Sequence, residues 1–370
     1  MAKFLLVIGT RPEAIKMAPV ITQLRRQLPH DDVFICSTGQ HREMLAQTLA
    51  VFGITPDLDM ALMQPDQTLS GLSARVLMAM DGVLTQHLPE WVIVQGDTTT
   101  VAMAAMAANH RQVRVAHVEA GLRTYDRANP FPEEMNRVVT DHISELNFAP
   151  TLAAKQNLLR EGIAENRVVV VGNTVIDALY TLADQPWQPA PSDPLAHLPA
   201  DRRLILVTAH RRESFGAPLA TICTALQTLS QCYGDRVHIV YLVHRNPNVW
   251  TLVYAHLGSV PGITLLPPVD YRALVYLMKK SWLILTDSGG IQEEAPALGK
   301  PVLVLRTTTE RPEAVDIGAA QLIGADAAKI AAAVDRLLHS EADYARMATA
   351  GSPYGDGHAA ARIVTHLLER

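Results

Sequence analysis

Cysteine is scarce. The 370 residues hold three, Cys36, Cys223 and Cys232, far apart and odd in number. That spacing offers neither a disulfide framework nor a metal cluster. An excess of positive charge is missing too: Lys and Arg total 32 against 37 Asp and Glu, for a formal net charge of −5. With no long basic run, nothing electrostatic points to nucleic acid or to a membrane surface. No stretch approaches the ~20 apolar residues of a membrane-spanning helix. The start, MAKFLLVIG, is briefly leader-like, but its apolar run ends at once in TRPEAIK without a cleavage-like site. A zinc signature, a nucleophile elbow and the GxGxxG dinucleotide fingerprint are also absent. The expectation is a cytoplasmic protein that needs neither metal nor cofactor.

What is present is a soluble globular composition, 48% hydrophobic and 19% charged, in a chain long enough for two domains with a core each. Short apolar runs alternate with helix-length segments: FLLVIG, DVFICS, WVIVQG, VRVAHV, LNFAP and VVVVG, then LILVTA, VHIVYLV, ITLLP, WLILTD and PVLVL. Continuous apolar strands separated by helices are parallel strands buried on both faces, the pattern of an α/β doubly wound sheet. Eleven strands are too many for one mononucleotide-binding sheet and suit two. The halves also open alike, FLLVIGTRPEA against LILVTAHRRES. Two Rossmann-like domains facing a cleft are therefore expected, spanning 1–170 and 171–354. The proline-rich stretch DQPWQPAPSDPLAHLPADRR reads as a loop inside the second, and the last helix, 355–370, as packing back on the first.

LILTDSGGIQEEAPALGKPVLVL is the most legible element. A buried strand ends in Asp287-Ser288-Gly289-Gly290 and a helix follows. Adjacent glycines let main-chain N–H groups approach an anion, and the helix dipole favours a phosphate there. Glu294, a turn and a half further on, is placed to reach a ribose diol. A plain strand–helix turn that needs glycine for its geometry accounts for the same residues. Arg11 and Lys16 in GTRPEAIKMAP, His210 with Arg211 and Arg212 in VTAHRRESFG, and Arg311 in TERPEAV follow strand ends, where cations suit a phosphate. A surface helix with ordinary charge pairs, or a structural histidine, explains each one singly; as a set they point to a nucleotide-like anion.

Acids gather in HVEAGLRTYDRANPFPEEMNR and just upstream in VQGDTTT. Asp97 and Glu119 each end a strand, and Glu133 follows a proline where a helix begins. Beside a bound diphosphate, burial and the ligand's charge both favour protonated carboxyls, the tuning that acid/base chemistry needs. One of the three acids serving as a structural cap would be ordinary; all three would not.

The ordered set GTRPEAIKMAPV, TGQHREML, QGDTTT, HVEAGLR, PFPEEMNR, GNTVIDAL, AHRRESFG, HRNPNV, TDSGGIQEEAPALGKPVLVLR and TERPEAV resembles the non-hydrolysing bacterial UDP-N-acetylglucosamine 2-epimerases. The resemblance implies the glycosyltransferase-B arrangement, a homodimer, and interconversion of UDP-GlcNAc and UDP-ManNAc for surface polysaccharide. Carried over residue by residue, Arg11, Ser288, Gly289, Gly290, Glu294 and Arg311 hold UDP. Asp97, Glu119, Glu133 and His210 work on the sugar, with Lys16 nearby. The family's route removes the C2 proton as UDP leaves C1, giving 2-acetamidoglucal, then adds UDP back as a proton reaches the other face.

The chain departs from the family at two places. Leu274, between Tyr271 and Tyr276, stands where relatives carry an aromatic for the uracil. Gln40, His41 and His244 fit a second, activating substrate site, but Asp66 stands where regulated relatives have arginine, so weak or absent activation is expected. Three other readings share these features: a retaining UDP-sugar glycosyltransferase, a sugar-nucleotide sensor, and a 2-epimerase of a UDP-2,3-diacetamido uronic acid.

Overall fold

A computed structural model describes residues 3–39, 42–64 and 66–370. The chain divides into two compact units, Met1–Tyr180 with Tyr354–Arg370, and Thr181–Pro353.

The first unit contains β1 (Phe4–Ile8), α1 (Arg11–Gln27), β2 (Val33–Ser37), α2 (Arg42–Val51), β3 (Leu58–Asp59), α3 (Leu69–His87), β4 (Trp91–Gln95), α4 (Thr99–His110), β5 (Arg114–Val118), α5 (Glu133–Ile143), β6 (Leu146–Ala149), α6 (Leu152–Arg160) and β7 (Val168–Val170). Its strands are parallel in the order β3-β2-β1-β4-β5-β6-β7. Side chains alternate across a strand, so β1 feeds two cores. Phe4, Leu6 and Ile8 pack with Met17, Ile21 and Leu24 of α1. Leu5 and Val7 pack with Met80 and Val83 of α3 and Val101 of α4. Both faces being covered is why the strand reads as an unbroken apolar run.

Helix α7 (Thr174–Ala183) carries the chain out of this unit, and the boundary falls inside it, after Tyr180. The boundary expected from the sequence, at 170, lies ten residues earlier. Two interactions hold the extra segment in the first unit. The Val171 N–H donates to the Ala149 carbonyl at 3.0 Å, and the Asp177 carboxylate accepts the main-chain N–H groups of Ala359 and Ala360 at 3.2 and 2.8 Å.

The second unit contains β8 (Arg203–Thr208), α8 (Ala217–Tyr233), β9 (Val237–Leu242), α9 (Pro247–Leu257), β10 (Ile263–Leu266), α10 (Tyr271–Lys280), β11 (Leu283–Thr286), α11 (Gly289–Ala297), β12 (Val302–Val304), α12 (Pro312–Asp316), β13 (Ala320–Leu322), α13 (Ala327–His339) and α14 (Glu341–Ala348). Its parallel order, β10-β9-β8-β11-β12-β13, is wound in the same way. Ile205, Val207, Leu226, Tyr241 and Leu285 lie in its core. Helix α15 (Ala359–Leu368) returns to the first unit, burying Ile363, Val364 and Leu367 in the core shared with α1.

Thirteen strands are thus described against eleven expected. The additions, β3 and β13, are edge strands of two and three residues, too short for a periodic signal. In each sheet the strand order reverses beside the first strand, between β1 and β4 and between β8 and β11. Ligands of doubly wound folds bind outside the carboxyl ends of the strands at such a switch point.

Candidate active site

At the first switch point the β1–α1 turn is tied to the β4–α4 turn by one buried carboxyl. Glu13 accepts the N–H of Gly9 at 2.5 Å and of Thr10 at 3.2 Å through Oε2, and the Thr98 hydroxyl at 2.8 Å through Oε1. Burial pushes it up to about 7, against the pull of those donors. Gly9 has to be glycine, because a Cβ there would lie 2.9 Å from Thr38 Oγ1 and 3.0 Å from Thr100 Oγ1.

Glu119 follows β5 and is buried. Its φ is +68°, a left-handed conformation that costs a non-glycine residue ~1 kcal/mol or more and concentrates at functional sites. Lys16 Nζ donates to Oε1 at 2.5 Å and to Oε2 at 2.7 Å, Asn173 Nδ2 donates to Oε1 at 3.0 Å, and Gln95 Nε2 donates to Oε2. Lys16 and Glu119, picked out separately in the sequence, are therefore one ion pair held in a cage of amides.

Asp97, just beyond β4, accepts Nε and Nη2 of Arg137 on Oδ2 at 3.0 and 2.6 Å. Asn136 Nδ2 holds the Asp97 carbonyl at 2.9 Å. Arg137 also reaches Glu134 at 3.2 Å. Glu134 in turn accepts the N–H groups of Thr124 and Tyr125, so of the two adjacent glutamates it is the structural one. Glu133 opens α5, half-buried, with no ion pair among the described residues. Arg11 is the first residue of α1.

Behind these acids lies a buried charge chain that sequence reasoning missed. His117 donates from Nε2 to the Gly96 carbonyl at 2.7 Å and faces Asp141 Oδ1 from Nδ1 at 2.6 Å. Arg123 meets Asp141 Oδ2 at 2.7 Å and also binds Glu161. Burial pushes the Asp141 carboxyl up, but His117 and Arg123 together outweigh it and hold it below the usual range. The chain clamps the turn that carries Asp97.

At the second switch point Asp287 ties the β8–α8 turn to the end of β11, accepting the N–H groups of His210 and Arg211 at 2.8 Å each. Ser288 stands at the N-cap position of α11 without a side-chain capping bond. A Cβ on Gly289 would lie 3.6 Å from Arg211 Nη2 and 4.0 Å from Arg311 Cζ, so two guanidinium groups flank the start of α11. Arg311 is oriented by Glu293, to which its Nε donates. Helix dipole, glycine and planar cations together suit a phosphate. Glu294 is buried, accepts the Tyr271 hydroxyl on Oε1 at 2.5 Å, and has Oε2 3.7 Å from where a Gly290 Cβ would be. Leu274 is half-buried on α10. His210 stacks on His244, with ring centroids 5.2 Å apart; Gln40 and His41, grouped with His244 in the sequence, lie outside the described residues. A cavity of about 410 Å³ lined by Trp187, Arg272, Tyr276 and Lys279 includes none of these phosphate-side residues.

A family model described as UDP-N-acetylglucosamine 2-epimerase matches residues 24–368. The UDP-N-acetylglucosamine 2-epimerase of Salmonella typhimurium is 50% identical over 370 residues, covering 99% of this chain and 98% of its own. The chain belongs to the UDP-N-acetylglucosamine 2-epimerase family. The Escherichia coli K12 epimerase is 49% identical over 373 residues, covering 99% and 98%. The Neisseria meningitidis family member, solved bound to UDP-GlcNAc, superposes with a TM-score of 0.90 at 42% identity, covering 99% of this chain and 100% of that one. The Methanocaldococcus jannaschii family member, in complex with UDP-GlcNAc and UDP, superposes with a TM-score of 0.80 at 35% identity, covering 99% of each chain. These relatives share the two doubly wound sheets, so the family's fold carries both switch points.

Several residues of this family member's site carried a sequence signal that was not followed. Asn173 lies in GNTVIDAL and Arg137 in PFPEEMNR, both quoted as motifs, while Gln95 and His117 sit inside or beside strands where a polar residue interrupts an apolar run. A polar residue in such a run is the cue, since burial demands that it have partners.

Proposed function

We propose that this chain interconverts UDP-GlcNAc and UDP-ManNAc without hydrolysis, as an isomerase. The observation that carries the proposal is the division of groups between the two switch points. The first sheet's strand ends bear carboxylates engaged by cations and amides, and the second sheet's bear a glycine-led helix start flanked by arginines. Arg11, Ser288, Gly289, Gly290, Glu294 and Arg311 hold UDP, with Leu274 on the uracil side. Asp97, Glu119, Glu133 and His210 act on the sugar.

The C2 hydrogen of the sugar is not next to a carbonyl, so it cannot leave as in an enolisation. A carboxylate takes that proton while the C1–O bond breaks, its electron pair departing with UDP and the C–H pair forming the C1–C2 double bond of 2-acetamidoglucal. UDP then adds back to C1 as C2 receives a proton on the opposite face. Two faces need two acid/base groups, and the departing phosphate needs cations. Asp97 and Glu119 already receive charged donors, Arg137 and Lys16, an arrangement that supports acceptor roles.

On the family resemblance, the product enters surface polysaccharide and the chain assembles as a homodimer, which light scattering tests. No described helix is long and apolar enough to cross a membrane. Three free thiols suit a reducing compartment, and we place the chain in the cytoplasm.

The test is turnover of UDP-GlcNAc alone in D₂O. Deuterium at C2 of UDP-ManNAc, with traces of free UDP and 2-acetamidoglucal, is expected; product with only protium at C2 overturns the elimination–addition route. No turnover at all, with nucleotide bound, would indicate a sensor.

A further inference from the structure

The carboxyl of Asp287 is unevenly used. It is fully buried at the end of β11. Its Oδ2 accepts three hydrogen bonds, from the main-chain N–H groups of His210 and Arg211 and, at 3.1 Å, from the Ser214 hydroxyl. Among the described residues its Oδ1 finds no donor. A buried carboxylate oxygen without a donor costs free energy, and native structures keep few of them. The His210 ring lies beside it, with Nδ1 3.9 Å away. That is just beyond hydrogen-bond reach, and a small rotation of the imidazole closes the gap.

The surroundings set the charge on the ring. Burial holds His210 below the usual imidazole range; Asp287 pulls the other way, and His244 and Arg211 add to the effect of burial. Arg306 also feels Asp287 and is already engaged by Glu310 and Glu213. A diphosphate at the start of α11 adds negative charge where Arg211 lies beside Gly289. It thereby offsets one of the groups that keep a second proton off the ring.

We propose that Asp287 is the positioning residue of His210: with a nucleoside diphosphate bound, Oδ1 accepts the Nδ1–H of His210, and the imidazolium is held with Nε2–H toward the phosphate leaving C1. The proposal deepens the reading of His210 given under Proposed function and rests on it. The proton comes from solvent as the nucleotide binds. No bond in the sugar is made or broken by this step, which sets only the charge and tautomer of the donor. A ring whose Nδ1 is bonded to a carboxylate presents Nε2, and a cation there stabilises the charge that grows on the departing oxygen. The three bonds to Oδ2 keep Asp287 from swinging, so the ring comes to the carboxylate.

The experiment follows the His210 C2 proton by NMR as pH is varied, with and without saturating UDP, in wild type and in Asp287→Asn. The signal is assigned by its loss in His210→Asn. The asparagine keeps an oxygen for the three Oδ2 donors and sets an uncharged amide toward the ring. UDP should raise the wild-type midpoint by about one pH unit or more, a typical effect of a close opposite charge. In the variant the rise should be less than half of that. Turnover in the variant should fall ~10–100-fold, within the range of a general-acid group, while KM stays within about threefold. In a His210→Asn background, Asp287→Asn should add no further loss, as for residues acting as one unit. Equal UDP-induced rises in wild type and variant overturn the proposal. Should the variant not fold, a wild-type midpoint that ignores UDP overturns it as well. Full turnover in His210→Asn would sink the reading of His210 and the proposal together, whereas equal rises sink the proposal alone.

Discussion

Replacing Lys16 by methionine isolates the most deeply engaged acid. Lys16 and Glu119 are 103 residues apart in sequence, and their side chains are only 13% and 6% exposed. The 0–1 kcal/mol of a surface ion pair therefore does not apply. Removing one partner of a buried pair strands the other charge and costs roughly 3–5 kcal/mol. Gln95 and Asn173 still donate to Glu119 in the variant and recover part of that, each being worth about 1 kcal/mol. The net expectation for Lys16→Met is a loss of about 1–3 kcal/mol, or roughly 2–12 °C in the melting of a unit of this size. Adding Glu119→Gln removes the stranded charge, so the double variant should be more stable than Lys16→Met alone by ~1–2 kcal/mol. Calorimetry and urea unfolding of the four proteins give the coupling directly. A Lys16→Met loss below about 0.5 kcal/mol, or a double variant no better than the single, would refute the reasoning. In either case Glu119 would have to be solvated without its lysine.

Asp97→Asn, Glu119→Gln and Glu133→Gln should each lower turnover ~100-fold or more while UDP binding survives; two amides with near-full activity would reassign these acids as structural. Glu294→Ala removes the partner of the Tyr271 hydroxyl and should weaken UDP by ~1–3 kcal/mol in calorimetry, unchanged affinity counting against its role. Glu13 titrates at about 7 when folded against 4.5 as a free side chain. Between those values the folded state holds a proton that the unfolded state has lost, so stability falls as pH rises from about 4.5 to about 7. In Glu13→Gln that part of the slope should vanish from denaturation curves, and its persistence would exclude Glu13 as the source.

The strands that read most clearly, FLLVI, WVIVQ and LILVT, are buried on both faces by helices, so each residue had to be apolar or satisfied, and the run itself carried the information. Helix starts were equally local. Thr10 with Glu13 forms a capping box, which needs only its own next three residues, and Ser288-Gly289-Gly290 opens α11. The domain boundary was not local. It falls after Tyr180 and not at 170 because Val171 bonds to Ala149, some twenty residues away, and Asp177 caps a helix at Ala359. The site divides along the same line. The sequence alone placed Asp97, Glu119, His210 and Asp287 at strand ends, since period and turn chemistry decide where a strand stops. Only the tertiary structure decided that Glu119 meets Lys16 and Asn173, that Asp97 meets Arg137, and that the Asp287 carboxyl meets the His210 turn. Those partners depend on which strands become neighbours at the switch points, and sheet order is set by packing over the whole chain, not by any window of it.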